Sequence, residues 1–473
     1  MDMKQHDTPL LDALIRHVET HDSYFHVPGH KQGRFFDKGG RPYFEEILKL
    51  DLTEVGELDD LHEPTGVILE AQRLAAHAFG ATQTWFLVGG STVGNLALVK
   101  TVCAPGDGIV VQRNSHKSVF NGCVLAGARP VYLQPARDAA TGVYAGVSAE
   151  QLRGTLKRHP NVKAVFLTNP NYYGMAQPVD ELAAVCERFG VPLIVDEAHG
   201  AHFSVHPQLP RSAIVSGATA VVQSAHKMLP AMTMTAMVHA HGTSAFREKL
   251  QVALTQLQSS SPSYPLLASL DLARKYYATQ ARCDVEKSLP VVKWLRDEIN
   301  GRGEWKALSP DDPYKLILQR PGWSGYEIAA GLRSEGVPLE LSDSANGLAV
   351  LPLGLGVREC DVLLQAVDRW SDKARVPKGS TWDVPPLDLP DVSVDLPLSQ
   401  VVQQDGEWCP LEHAAGRIAK RAVLPYPPGI PVVLPGETFS RRVVEYIQFL
   451  LSYGARFQGV KVTPSNTYVE VVK

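Results

Sequence analysis

The residues able to do chemistry stand where apolar runs stop. In AVVQSAHKM an apolar run is closed by Ser224, His226 and Lys227. A lysine at the end of an internal strand is unusual as a structural residue. Desolvated, its amine can lose a proton and condense with an aldehyde. In VPLIVDEAHG the run ends at Asp196, and His199 lies three residues on. An ionised carboxylate at the end of a buried strand is costly without a partner. A protonated ring nitrogen is such a partner: the pairing would lower the carboxylate's pKa and keep the nitrogen protonated.

Other run ends carry complementary groups. LVGGSTVGNLAL puts two glycines, Ser91 and Thr92 between a strand and a helix, where backbone N–H groups and hydroxyls form a phosphate cup. Alone, this reads equally as an ordinary helix cap. QRNSHKSV offers His116, which alone would pass for a structural or exposed histidine. LTNPNYYG ends another run with Thr168, Asn169 and Tyr172, able to hydrogen-bond a ligand oxygen. Phosphate cup, ring-facing imidazole, carboxylate for a ring nitrogen and aldehyde-binding lysine follow one another in chain order. The set points to pyridoxal 5'-phosphate (PLP).

The elements that must position these residues show in the hydrophobic period. From Gly80, short apolar runs (TWFLVGG, GIVVQ, RPVYL, KAVFLTNP, PLIVDEAHG, TAVVQSAHK) alternate with helical stretches such as STVGNLALVKTVC and DELAAVCERFG. That alternation predicts an α/β fold with a mainly parallel sheet, whose ligand sits at the carboxyl ends of the strands. Residues 1–75 form a lead segment with Gly- and Pro-rich stretches (FHVPGHKQG, ELDDLHEPTG) unsuited to long helices. The large domain is expected over 76–300, with one long helix from about 266. A small α+β domain is expected at 301–375, a Pro-rich linker at 376–396, and a C-terminal domain at 397–473 that ends in strand-like YVEVV.

The motifs FHVPGHKQG, LDDLHEPTG, FLVGGSTVGNLA, VQRNSHKSVF, LTNPNYYG, VDEAHGAH, QSAHKMLPAMTM, LQSSSPSYPLLASLD and LPYPPGIPVVLPGE together resemble those of the Orn/Lys/Arg decarboxylases. These are fold-type-I PLP enzymes, and the likeness is to their short form, without an N-terminal wing domain. It runs in order from about Phe25 to Gly436; many relatives carry Thr at the position of Asn171. The resemblance implies a PLP-binding large domain in which Lys227 carries the cofactor and Asp196 meets its ring nitrogen. It puts His116 and His199 against the ring, and Ser91, Thr92, Ser224 and His226 around the phosphate. It implies decarboxylation of lysine, ornithine or arginine to the corresponding amine and CO2. It also implies a homodimer, with the stretch around Ser260 reaching the partner's cofactor. A basic substrate needs an anion at the far end of its pocket. Glu437, in the closing PGE, is the candidate by resemblance; its meeting a compact ammonium would favour lysine or ornithine.

Bulk properties exclude other classes. The 473 residues carry 46 basic and 50 acidic side chains, a formal charge of -4, so no positive excess holds nucleic acid or an anionic membrane. No apolar run approaches the roughly 20 residues of a membrane span. The N-terminus lacks the apolar core of a signal peptide. Six scattered cysteines read as reduced thiols, so a cytoplasmic protein is expected. DEAHG resembles a helicase box, but no GxxxxGK[ST] loop accompanies it. His199, His202 and His206 match no familiar zinc spacing and leave Asp196 unexplained, so no metal is expected. The serious rival is another fold-type-I reaction, an aminotransferase or aldolase. Arg358 would be its carboxylate clamp, but GLGVRECDVL looks like a helix start. A PLP-binding regulator without turnover is disfavoured by the intact lysine, aspartate and phosphate cup.

Overall fold

The computed structural model describes residues 4–21, 24–373, 398–426 and 429–473. In chain order the helices and strands begin α1 (Pro9–Thr20), α2 (Arg41–Leu50), α3 (Val67–Phe79), β1 (Gln83–Leu87), α4 (Gly90–Val102), β2 (Gly108–Gln112), α5 (Lys117–Ala126) and β3 (Arg129–Leu133). They continue α6 (Ala149–Arg158), β4 (Val162–Thr168), α7 (Val179–Phe189), β5 (Leu193–Asp196), β6 (Ala220–Gln223), α8 (Ala225–Met228), β7 (Ala236–Ala240), α9 (Ser244–Leu257), α10 (Tyr264–Thr279) and α11 (Ala281–Asn300). Then come β8 (Lys306–Leu308), β9 (Lys315–Gln319), α12 (Gly325–Ser334), β10 (Leu341–Ser342), β11 (Gly347–Val350) and α13 (Val357–Lys373). The C-terminal part holds α14 (Leu398–Gln403), β12 (Gly406–Pro410), β13 (Leu424–Pro425), α15 (Arg441–Ser452), β14 (Phe457–Gln458), β15 (Val460–Val462) and β16 (Thr467–Val472).

The chain folds into two compact units, each discontinuous in sequence. One comprises Met1–Val102 and Pro192–Cys283, the other Cys103–Val191 and Asp284–Lys473. The chain leaves the first unit after α4, lays down β2 to β4 in the second, and returns with β5, a path that no linear boundary captures.

In the first unit the strand order is β1-β7-β6-β5. β5 and β6 are parallel, while β7 runs antiparallel to both β6 and β1. α4 covers β1, β6 and β7 and packs on α9. Gly94 permits this closeness: a Cβ there would lie 2.6 Å from Val222 and 2.9 Å from Leu87. The predicted long helix is two, α10 and α11, broken at Gln280, whose φ of -126° leaves the helical region.

In the second unit β4, β2 and β3 are parallel in that order, and β2 and β4 are buried along most of their length, with Ile109, Val110, Val111, Val165 and Phe166 fully buried. The four-stranded antiparallel sheet β10-β11-β9-β8, with α12 and α13, forms the expected small α+β part. The C-terminal part has its own core of Leu411, Val433, Phe439, Ile447 and Val471 beside the sheet β12-β16-β15. The expected linker lies outside the described residues. Mainly parallel strands flanked by helices, with small α+β and C-terminal parts, make this the fold-type-I α/β architecture. Among the described residues no helix is long and apolar enough to cross a membrane.

Candidate functional site

In the first unit the parallel register pairs Asp196 with Val222, so β5 and β6 deliver their next residues at the same sheet edge. Asp196 is 3% exposed. Its Oδ2 accepts a hydrogen bond from Asn95 Nδ2 at 2.8 Å, and its Oδ1 accepts from the Ala198 amide at 3.1 Å. Both donors are neutral; they aim the carboxylate and leave it able to face a cation. Lys227, on the short α8, has its Nζ 2.9 Å from His199 Nε2. An imidazole at that distance can take the ammonium proton and leave the amine free to condense.

The phosphate cup also has a definite geometry. Ser91, in the first turn of the 13-residue α4, meets Ser224 at 2.8 Å between hydroxyls. Thr92 beside it is exposed. The Gly90 amide, at φ +72°, donates to the Met234 carbonyl at 2.7 Å, and Met234 itself holds φ 77°. A bulky side chain at positive φ stores strain, a feature that clusters at functional sites. His226 Nδ1 lies 3.0 Å from the Thr235 carbonyl, which only a protonated nitrogen can satisfy, so this hydrogen bond holds a proton on Nδ1.

A second buried network underlies these strand ends. Glu197 is fully buried and accepts from Ser212 Oγ at 2.6 Å, the Ala213 amide at 2.7 Å and Gln223 Nε2 at 2.7 Å. With its amide nitrogen given to Glu197, Gln223 turns its carbonyl to His239 Nε2 at 3.1 Å; Nδ1 then accepts from the Thr84 hydroxyl at 2.8 Å. His239 is thus neutral, with its proton on Nε2. Burial, helped by His241, holds its pKa far below the ordinary 6.5, at about 3.

In the second unit His116 caps α5, its Nδ1 accepting from the Ser118 amide at 3.3 Å. Thr168 donates to Ser115 Oγ at 3.2 Å, while its amide donates to Gln112 Oε1 at 3.3 Å. Asn169 and Asn171 brace the loop that carries Tyr172 by accepting from the amides of Gln177, Tyr173 and Met175.

Glu437, expected at the far end of the substrate pocket, lies in the second unit. It is 2% exposed and gives both oxygens to Arg113, with Nε at 3.2 Å and a terminal nitrogen at 2.8 Å; the Leu434 amide adds a bond at 2.7 Å. The carboxylate is thus held in a fixed direction by a fully buried guanidinium. Ser260 is exposed on the loop between α9 and α10, and Arg358 is exposed in the first turn of α13. Sequence reasoning missed Asn95, Arg113 and Gly94. Asn95 had a signal, as a polar residue within the otherwise apolar VGNLAL; Arg113 had one too, as a cation directly after the run GIVVQ.

The first unit thus offers a nucleophilic amine, a buried carboxylate aimed by neutral donors, and hydroxyls at a helix N-terminus. Those groups fit the aldehyde, pyridine nitrogen and phosphate of PLP. Comparison with known proteins agrees. Residues 8–317 match the family model "Orn/Lys/Arg decarboxylase, major domain", and residues 391–468 match its C-terminal domain. The chain is 38% identical to the uncharacterized protein YaaO of Bacillus subtilis, over 99% of this chain and all of that one. It is 35% identical to the arginine decarboxylase of the same organism, over 97% of this chain and 96% of that one. The solved structure of the Escherichia coli constitutive lysine decarboxylase superposes with a TM-score of 0.84 at 21% identity, covering 99% of this chain and 82% of that one.

Proposed function

From the premise that the chain belongs to the Orn/Lys/Arg decarboxylase family, we propose that this PLP-dependent amino acid decarboxylase takes arginine as its preferred basic substrate and releases the corresponding amine and CO2. The relative named an arginine decarboxylase, matched over nearly its whole length at 35% identity, supports arginine. Glu437, already paired with Arg113, lends less weight to a compact ammonium substrate such as lysine or ornithine.

The observation that carries the reading is the Lys227–His199 contact, in the same unit as Asp196 with its Asn95 donor. Bound PLP supplies a sink for the electron pair left when CO2 departs. The chain's residues do the rest. Lys227 holds the cofactor covalently until substrate arrives. His199, against it, takes or returns the lysine proton. Asp196 keeps a proton on the ring nitrogen, and Asn95 and the Ala198 amide fix its direction. Ser91, Thr92, Ser224 and His226 hold the phosphate against the positive end of α4. By family likeness His116 stacks on the ring, and Thr168 contributes a hydrogen bond. A homodimer is proposed, with Ser260 reaching the partner's site. Phe25, Phe35 and Tyr43, 97%, 79% and 86% exposed, are the apolar surface in its favour. A cytoplasmic location is proposed with it.

The test is a substrate panel. Purified protein is given PLP and arginine, lysine or ornithine, and CO2 is measured alongside transferred amino groups. Arginine is expected to give the highest kcat/KM. Amino-group transfer without CO2 would overturn the decarboxylase reading, and a preference for lysine or ornithine would overturn the substrate. Lys227→Ala is expected to lose the borohydride-reducible cofactor adduct; an adduct at wild-type level would remove Lys227 from its role.

A further inference from the structure

We infer that Glu197 is a positioning residue for the reaction: through a buried chain of hydrogen bonds, Glu197–Gln223–His239–Thr84, it registers the four strands of the first unit and so aims Asp196 without touching the cofactor. The inference rests on the reading above, in which Asp196 meets the ring nitrogen.

Every strand of the unit contributes to the chain. Thr84 stands on β1, His239 on β7, Gln223 on β6, and Glu197 directly after β5. The antiparallel register sets Thr84 opposite His239, and the ladder runs one residue past β5 through the Glu197 amide, which donates to the Val222 carbonyl at 2.8 Å. The same strands deliver the cofactor-facing groups: β1 leads into Ser91 and Asn95, β5 ends at Asp196, and β6 leads into Ser224 and Lys227. Just before β7, the carbonyls of Met234 and Thr235 hold the Gly90 amide and His226. The chain lies on the face turned away from α4. Successive residues of a strand point to opposite faces, and the α4 face is marked by Leu87, Val222 and Val238, which a Cβ on Gly94 would meet. Asp196, in register with Val222, shares that face and takes its bond from Asn95 of α4 at 2.8 Å. On the other face Glu197 accepts from Ser212 Oγ at 2.6 Å and from the Ala213 amide and Gln223 Nε2 at 2.7 Å, while the Phe79 ring of α3 stacks on His239 at 4.6 Å. The peptide between residues 196 and 197 is therefore pinned from both sides.

Charge gives the chain its direction. As a carboxylate Glu197 only accepts, so Gln223 turns its amide nitrogen to it; His239 then donates from Nε2 to the Gln223 carbonyl, and Thr84 donates to Nδ1. Glu197 and His239 are fully buried, and Thr84 and Gln223 are 1% and 2% exposed, so no bulk water competes for these bonds. Apolar side chains in these places would hold the strands together as well, without the cost of desolvating polar groups. What they would not do is fix directions; a fully satisfied polar chain selects one arrangement of its core. The arrangement selected here leaves the Asp196 carboxylate against Asn95 and the Ala198 amide.

The experiment uses the full-length holoenzyme. Glu197→Gln keeps the size of the side chain but removes its charge, so Gln223 can turn over and offer its carbonyl to residue 197. Thr84→Val cuts the chain at its far end. Thermal unfolding, the visible dichroism of the bound cofactor, separate kcat and KM values at saturating PLP, and nitrogen NMR spectra of the histidine rings are measured on each. The His239 signals are assigned by their loss in His239→Gln. Glu197→Gln is expected to move the His239 proton from Nε2 to Nδ1 and to change the dichroism. It should lower kcat about tenfold with KM changed less than about twofold, since substrate still binds while the carboxylate behind the electron sink is misaimed. Thr84→Val should keep the proton on Nε2 and lower kcat about threefold. Should Glu197→Gln not fold, Thr84→Val decides by the same readouts. A lower melting temperature with unaltered kcat and dichroism would make the chain a mere brace of the core and overturn the inference. A His239 proton that stays on Nε2 in Glu197→Gln would overturn it too. The functional reading fails separately, if wild-type protein forms no borohydride-reducible adduct at Lys227.

Discussion

His239 gives a pH dependence whose size can be worked out in advance. The imidazole is neutral in the folded protein, held between Thr84 and Gln223, with a pKa of about 3 against an ordinary 6.5. As pH falls through 6.5 the unfolded chain takes up a proton that the folded chain refuses. Stability from this site is therefore complete above pH 6.5, is lost steadily below it, and levels off near pH 3. Each pH unit in that window costs about 1.4 kcal/mol, so the loss between pH 7 and pH 5 is about 2 kcal/mol. That is a large part of the 5–15 kcal/mol by which folded proteins are typically stable, roughly a fifth of it. His239→Gln keeps a donor and an acceptor but cannot titrate. Urea unfolding of both proteins would be followed at pH 7, 6 and 5, at one protein concentration and with saturating PLP. The wild-type minus variant difference in unfolding free energy should shrink by about 2 kcal/mol across that range. A difference constant within about 0.5 kcal/mol would refute the argument, since the proton would then bind both states alike.

Two further outcomes follow from the site and its support. Asp196→Asn should retain PLP but lower kcat at least about a thousandfold, some 4 kcal/mol of barrier, because the ring nitrogen loses its proton-holding partner; steady-state CO2 release checks this, and a fall of less than about tenfold would remove Asp196 from that role. Gly94→Ala should lower the melting temperature and weaken PLP binding, since its methyl would meet Val222 at 2.6 Å and lift α4 with Ser91 and Asn95. Overpacking of about 1–3 kcal/mol outweighs the gain of about 1 kcal/mol in helix propensity; a raised melting temperature would contradict the packing.

Much of the fold was legible because buried strands and amphipathic helices leave different periods. The runs ending at Leu87, Gln112, Leu133, Thr168, Asp196 and Gln223 are β1 to β6, and the polar residues after them are where the chemistry was sought. β7 escaped because AMVHA carries His239, a polar side chain within the sheet whose partners, Thr84 and Gln223, are remote in sequence. The break between α10 and α11 escaped because neither Gly nor Pro marks it. The two units escaped because each is assembled from separate stretches. The partner of Glu437 escaped for the same kind of reason: Arg113 is 324 residues away, and nothing near PGE announces it. Local pattern reports what a residue is; only the fold reports what already occupies it.

The separation of Arg113 from Glu437 also bears on how the protein is born. At typical synthesis rates the ribosome needs on the order of tens of seconds to deliver residue 437 after residue 113. Through that interval the guanidinium can be hydrated but not sealed inside, so the strand end beside His116 stays wet until translation is nearly complete. A nascent chain halted before residue 429 would carry Arg113 and still lack Pro431, Val432 and Glu437, the three residues that hold its guanidinium, which makes the burial of that charge a late event in the life of each molecule.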